Sequence, residues 1–198
     1  MNQEFVLDQL RTAGALKEGH FLLSSGRHSD RYVEKFDLLR QPKVTEQVCA
    51  GFAEQYRDAK IDVVAGPTTG GIILAFEVAR QLDVAAAYAE RVADGGTGRE
   101  FRRGTTFAPG SRVLVVDDIL TTGGSVRETL GALEQHPVDV VAVAVLVDRS
   151  GGKVAFGDVP LFSLVNKLDV TSWAADECPL CAQGVSLVKP GTTAVPGA

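Results

Sequence analysis

A chain of 198 residues, 45% of them hydrophobic and 23% charged, has enough apolar material for one sizeable core. Its net charge of -5 argues against a general nucleic-acid binder, and no apolar run approaches the length of a membrane span. No basic and then apolar leader marks the start, so the expectation is one cytoplasmic domain over residues 1–198 whose three cysteines stay reduced.

The first element is a helix over residues 3–13, with Val6, Leu7 and Leu10 at helical spacing and Gly14 closing it. Gly19 to Val33 then reads as a strand, a tight polar turn around Gly26, and a second strand. Residues 42–59 form a helix with Pro42 in its first turn and Val44, Val48, Phe52 and Tyr56 on one face. Cys49 sits inside it as a small core hydrophobe. Ile61 to Ala65 is a strand that runs into Gly66-Pro67-Thr68-Thr69-Gly70-Gly71 and a helix from Ile72 to Leu82. Strand, glycine-rich loop, helix is an anion-cradling order, because the loop amides and the helix N-terminus face one point.

Val84 to Tyr88 is a short strand that ends at Ala89-Glu90-Arg91. Residues 92–110 follow, with Gly95, Gly96, Gly98, Gly104 and Gly110 and few apolar anchors. A loop of that length in a compact domain reads as a mobile lid, disordered without ligand. It carries Arg99, Arg102 and Arg103, and with Arg91 these are the cations a polyphosphate would need.

Arg112-Val113-Leu114-Val115-Val116 is the next strand, apolar without alternation and so buried on both faces of a parallel sheet. Asp117 and Asp118 stand where it is expected to end. Ile119-Leu120-Thr121-Thr122-Gly123-Gly124-Ser125 leads into a helix marked by Val126, Leu130 and Leu133. Backbone amides of Thr121 to Ser125, opening onto that helix, form a nest for a phosphate monoester. The two carboxylates suit neutral acceptor-seeking groups such as ribose hydroxyls, or a divalent metal. A phosphate at one end and a diol at the other describe a ribose 5-phosphate.

Val138 to Val147 is a long apolar strand that ends in Asp148-Arg149, and Leu161 to Leu164 is an edge strand. Arg149 can offer a planar fork to a carboxylate or pair with Asp148. Cys178-Pro179-Leu180-Cys181 is half of a zinc site. With the three histidines scattered and Cys49 the only other thiol, it reads as a turn with two free thiols, unless two subunits pool their pairs. Residues 189–198 read as a frayed tail.

The stretch from Arg112 to Ser125 resembles the phosphoribosyl-pyrophosphate (PRPP) signature of the type I phosphoribosyltransferases. It is not a Walker loop, since no Gly-Lys-Ser/Thr follows a four-residue spacer. Phe21-x-Leu23-x-Ser25-Gly26-x-x-Ser29 resembles the N-terminal hood of the family's orotate-using branch. The resemblance covers residues 19 to about 185 and implies an α/β fold, a central parallel sheet flanked by helices, with a hood over residues 1–40.

It also implies that orotate and PRPP, with Mg²⁺ held mainly by PRPP, give orotidine 5′-monophosphate and pyrophosphate. PRPP is expected at Asp117 to Ser125, Thr69, Gly70 and Arg91, and orotate at Thr121, Arg149, Ser25, Gly26 and Arg27. Asp117, Asp118 and Arg91 are the catalytic candidates, and Arg99, Arg102 and Arg103 the loop cations. A homodimer sharing that loop is implied, with no nucleic-acid or membrane partner. The chain departs from many members at Ser24 and from some at Gly70, where each of those carries a Lys. Loss of the hood contacts would leave a purine or uracil phosphoribosyltransferase, and loss of catalysis a PRPP-sensing regulator.

Overall fold

The structure is a computed structural model and describes residues 1–23, 25–93, 96–166 and 171–190. Ser24, Gly95 and residues 191–198 of the expected tail therefore lie outside the described residues. A six-stranded sheet in the order β5-β4-β3-β6-β7-β8 forms the centre. Its strands are β3 (Val63–Pro67), β4 (Ala85–Arg91), β5 (Arg99–Phe101), β6 (Ser111–Leu120), β7 (Val138–Asp148) and β8 (Leu161–Val165). All pair in parallel except β5, which runs antiparallel to β4 at one edge.

The run in β6 is buried on both faces, as its unbroken apolarity requires. Val113 and Val115 pack on one side with Val143 and Val145 of β7, under α5 (Gly124–Leu133). Leu114 and Val116 pack on the other, against α1 (Gln3–Thr12), α3 (Pro42–Tyr56) and α4 (Gly70–Leu82). Burying each such side chain contributes about 1.5–3 kcal/mol, so this strand anchors whatever is attached to its ends.

The strand is longer than expected. It continues through Asp117 and Asp118 to Leu120, with Asp117 opposite Val145 and Leu120 opposite Asp148. The acid pair is thus clamped in a sheet and not free in a turn. A short helix α2 (Lys35–Leu39), absent from the sequence expectation, links the hood to α3.

The hood also draws on parts of the chain beyond residues 1–40. Helix α1 packs into the main core through Val6 and Leu10. Strands β1 (Leu16–Leu22) and β2 (His28–Val33) form the expected antiparallel hairpin, but β9 (Ser172–Trp173) completes their sheet. Val188 adds a further bridge beside Phe21, so the chain's C-terminal part closes the hood. That part includes the short helix α6 (Pro179–Ala182).

The expected disorder over residues 92–110 is corrected for most of its length. Glu90 pairs with Glu100 and Arg91 with Arg99 across the β4–β5 hairpin. Phe101, Phe107 and His136 form an aromatic trio with ring centroids 4.9–5.7 Å apart. Two phenylalanines are enough apolar anchor here, because such ring pairs add to simple burial. We expect Phe107→Ala to cost roughly 2 kcal/mol, below the ~3–5 of a fully buried Phe, and to speed amide exchange in β5 without slowing it elsewhere. Unchanged exchange in residues 99–101 would show that the trio does not hold this edge.

Candidate active site

The carboxyl ends of β3, β6 and β7 open onto three adjoining cavities, where an open α/β sheet binds its ligands. The smallest, about 60 Å³, is the loop from Thr121 to Ser125 at the start of α5. Gly123 has φ +79 and caps the helix with no side-chain hydrogen bond, which leaves the first-turn amides to a ligand. A Cβ there would lie 2.5 Å from the Arg127 guanidinium and 2.9 Å from Val154, so only glycine closes this turn.

The second cavity, about 410 Å³, holds the acid pair together with Thr68, Thr69, Gly70 and Lys35. Asp118 is 4% exposed in its side chain, and Lys35 from the start of α2 neutralises it. The ammonium donates to Asp118 Oδ1 at 2.9 Å and lies 2.8 Å from Oδ2, which accepts no hydrogen bond of its own. Gly70 lies against the same carboxylate: a Cβ on it would sit 1.8 Å from Oδ2. Any side chain at that position would displace the Asp118 carboxylate that Lys35 holds. Asp117 Oδ1 accepts the Asp118 amide at 2.8 Å. Burial first, then the neighbouring charge of Asp118, pushes the Asp117 carboxyl up to about 7, with Lys35 and Arg99 opposing.

Arg99 is on strand β5 and 5% exposed, not on a mobile loop. Its guanidinium donates to Thr68 Oγ1 at 2.8 Å, to Ala89 O at 3.0 Å and to Thr68 O at 3.3 Å, and its Nε is 3.2 Å from Glu128 Oε2. It ties the β3–α4 loop to α5, and its burial lowers its own pKa. The peptide between Thr68 and Thr69 is cis. Arg91 is exposed at the end of β4, beside Arg99 in the hairpin register. Arg102 pairs with Glu100 and Arg103 with Glu90, and neither lines a cavity described here.

The third cavity, about 570 Å³, lies under the hood. Ser25 lines it, whereas Gly26 and Arg27 do not. Arg27 is engaged with β9, donating to Ser172 O at 2.6 Å and to Ser172 Oγ at 3.0 Å, so it holds the hood's shape. Tyr32, Thr121 and Arg149 line both this cavity and the acid-pair cavity, and so form the seam between them. Among the described residues Arg149 donates to no carboxylate; Asp148 accepts the Ser150 amide at 2.7 Å instead. Burial lowers the Arg149 pKa, with Tyr32 opposing. Sequence reasoning missed Lys35, Tyr32 and Lys189, the last of which lines the hood cavity from the C-terminal part. A lysine that opens a short helix leaves no local signal of a contact made 83 residues away.

A family model described as a phosphoribosyl transferase domain matches residues 37–178. An orotate phosphoribosyltransferase of Caldicellulosiruptor saccharolyticus is 45% identical over 98% of this chain and 100% of its own. One from Carboxydothermus hydrogenoformans is 49% identical over 90% and 92%. The crystal structure of an orotate phosphoribosyltransferase from Aeropyrum pernix superposes with a TM-score of 0.70 at 30% identity, over 81% of this chain and 92% of that one.

The raised Asp117 pKa has a stability consequence. Its folded value lies above the ordinary 3.8, so the stability it lends is fully present below 3.8 and lost as pH rises towards 7. Asp117→Asn should remove that decline, and the ligand-free variant should melt higher than the parent above neutral pH. Melting curves from pH 4 to 8.5 check this, pH values chosen to bracket about 7. Parallel curves for the two proteins would sink the assignment of the shift to Asp117.

Proposed function

The chain belongs to the phosphoribosyl transferase family, and from that premise we infer how its residues carry the reaction of the orotate phosphoribosyltransferases. That reaction joins orotate to the ribose 5-phosphate of PRPP, releases pyrophosphate, and belongs to pyrimidine biosynthesis. In our reading the 5′-phosphate sits in the nest from Thr121 to Ser125, where uncapped helix amides supply donors without side-chain charge. Ile119 and Leu120 set the nest's height above the sheet, since both are still paired to β7. Asp117 and Asp118 accept hydrogen bonds from the ribose hydroxyls. Thr68, Thr69 and Gly70 cradle the pyrophosphate, with Arg99 fixing the Thr68 hydroxyl and carbonyl at the start of the loop.

Mg²⁺ fits this site as a partner held chiefly by the substrate. The protein offers hard carboxylate oxygens, but Asp118 Oδ2 already lies 2.8 Å from the Lys35 ammonium, which is why the substrate supplies most of the hold. Bound with the substrate beside Asp117 and Asp118, such an ion would supply charge neutralisation for the departing pyrophosphate. The protein's own share is electrostatic. Positive charge grows on the anomeric carbon as the bond to pyrophosphate lengthens, and the buried carboxylates lie where it develops. No side-chain nucleophile is required, because the base nitrogen of orotate attacks that carbon directly.

The observation that carries the base assignment is Arg149, on the seam between the ribose and hood cavities and, among the described residues, paired with no carboxylate. Orotate differs from uracil by a carboxylate whose desolvation must be offset. A planar fork from Arg149 does this, with Thr121 and Tyr32 flanking the ring. The adenine phosphoribosyltransferases that share the fold do so at 18–20% identity, which bears on the fold alone.

The rest of the reading concerns assembly and place. The exposed Arg91 and Arg103, with the half-buried Arg102, fit a homodimer in which each hairpin serves the neighbouring subunit. An apolar groove between α3 and α4, where Phe76 is 66% exposed, supports such an interface. Among the described residues no helix is long and apolar enough to cross a membrane. A cytoplasmic place fits both that and the substrates.

An absorbance assay with PRPP, run with orotate, uracil, hypoxanthine and adenine, tests the assignment: only orotate should be consumed. Arg149→Ala should raise the KM for orotate about ten- to hundredfold, the worth of a charged hydrogen-bonded pair, while leaving that for PRPP nearly unchanged. Arg149→Lys should recover only part, since a point charge lacks the fork. A loss confined to PRPP would move Arg149 into the phosphate site. Asp118→Asn should cut turnover at saturating PRPP by two orders of magnitude or more, roughly the worth of a preorganised electrostatic contact.

A further inference from the structure

The fold brings together four side chains that the reaction does not use. His20 lies on β1 and His28 on β2; Cys178 and Cys181 flank the start of α6. One ligand atom from each lies within 4.8 Å of the others. His20 Nε2 is 3.0 Å from His28 Nδ1, 3.4 Å from Cys178 Sγ and 3.7 Å from Cys181 Sγ, and Cys181 Sγ is 3.3 Å from His28 Nδ1. The sequence expectation of two unattached thiols, with metal reachable only by pooling two subunits, is therefore corrected: one chain supplies all four groups.

Geometry and chemistry both match a closed tetrahedral zinc centre. With bonds of about 2.3 Å to sulfur and about 2.0–2.1 Å to nitrogen, tetrahedral N···N, N···S and S···S edges come to about 3.3, 3.6 and 3.8 Å. The N···N contact and three N···S contacts above fall within a few tenths of an ångström of those edges. The His20 tautomer is fixed from outside: its Nδ1 donates to the carbonyl of Val185 at 2.8 Å, which leaves the Nε2 lone pair aimed into the cluster. Three of the four residues are buried, and the exposed Cys181 gives the ion a way in. Two thiolates balance a divalent ion, so the loaded centre is neutral, and two protons leave when it forms.

We propose that His20 Nε2, His28 Nδ1, Cys178 Sγ and Cys181 Sγ bind one structural zinc ion that clips the C-terminal part of the chain onto the hood. The clip has a job to do at that place. Val188 N donates to His20 O and Leu22 N to Val188 O, both at 2.8 Å, which lays residue 188 along β1. The next two residues, Lys189 and Pro190, wall the hood cavity. Two backbone hydrogen bonds are a weak hold for such a wall, and a metal centre a few residues upstream fixes it.

The test is metal content and coordination, neither of which depends on catalysis. Full-length protein dialysed against metal-free buffer should retain about one zinc per chain. Exchange with Co²⁺ should give the intense visible bands of a tetrahedral site together with thiolate-to-cobalt charge transfer. Cys181→Ser and His28→Ala should each lower retained metal by about tenfold or more, and a strong chelator should lower the melting temperature of the parent. Parent protein that arrives without zinc and takes up neither Zn²⁺ nor Co²⁺ at micromolar concentration overturns the proposal, as does full metal retention in both variants. Resting on the orotate reading is one further expectation: chelation raises the KM for orotate and spares that for PRPP. Because metal is counted without substrate, failure of the zinc site and failure of the orotate assignment remain distinguishable.

Discussion

Everything at this site hangs on the need to hold a buried carboxylate. Asp118 is fixed in a strand whose neighbours are buried on both sides, so it cannot move out to water. An ionised group in that position must be paired or it destabilises the fold, because removing one partner of a buried pair typically costs several kcal/mol. Three separate segments are brought together to meet that need. Lys35 reaches in from the end of the hood, Gly70 surrenders its side chain in the β3–α4 loop, and β6 presents the acid. Meeting the one constraint therefore places the hood, the β3–α4 loop and the loop over residues 121–125 around a common point.

Asp117, one residue earlier, takes the opposite course. Among the described residues it has no cation in hydrogen-bond contact, and its carboxyl is pushed up instead of being neutralised by a partner. Two adjacent acids thus differ in kind. One is a fixed, compensated charge that shapes the site; the other is a strained group whose full ionisation is favoured by hydroxyl donors, a metal ion or positive charge on the ribose. In the proposed reading, ligand binding relieves what folding left uncompensated.

Much of this could be read from the chain, and the boundary of what could be read has a physical cause. Strands β3, β6 and β7 were legible because burial on both faces demands unbroken apolar runs, and the nest because glycines and hydroxyls before a helix have few other uses. Local chemistry shows in local sequence. The length of β6 was not legible, since two acids look like a strand end until Lys35 is known to neutralise one. Residues 99–107 looked mobile because glycine count outweighed Phe101 and Phe107, whose partner His136 is far along the chain. The metal centre was hidden for the same reason: about 150 residues separate its histidines from its cysteines. One signal was there. A hairpin turning at Gly26 sets His28 opposite Leu22, and thus diagonal to His20 on one face of the sheet.

The positions of these features divide the labour of the fold. In the proposed reading, the groups for the phosphoribosyl half come from the ends of strands in the main sheet and are held by its core. On the same reading, those for the base come from elements outside it: Tyr32 on β2, Ser25 in the hairpin turn, and Lys189 beyond the Cys-Pro-Leu-Cys turn. Arg149 and Thr121 sit on the seam and belong to both. An arrangement of this kind lets the hood cavity change without disturbing the sheet, because Tyr32, Ser25 and Lys189 line the cavity and belong to neither core cluster. It also leaves the base pocket the less rigid half, built on a three-stranded sheet with a two-residue third strand. Sheets that small are marginal unless something else staples them. The cluster of two histidines and two cysteines lies at the point where such a staple has most effect, between the hood's hairpin and the strand that walls its cavity.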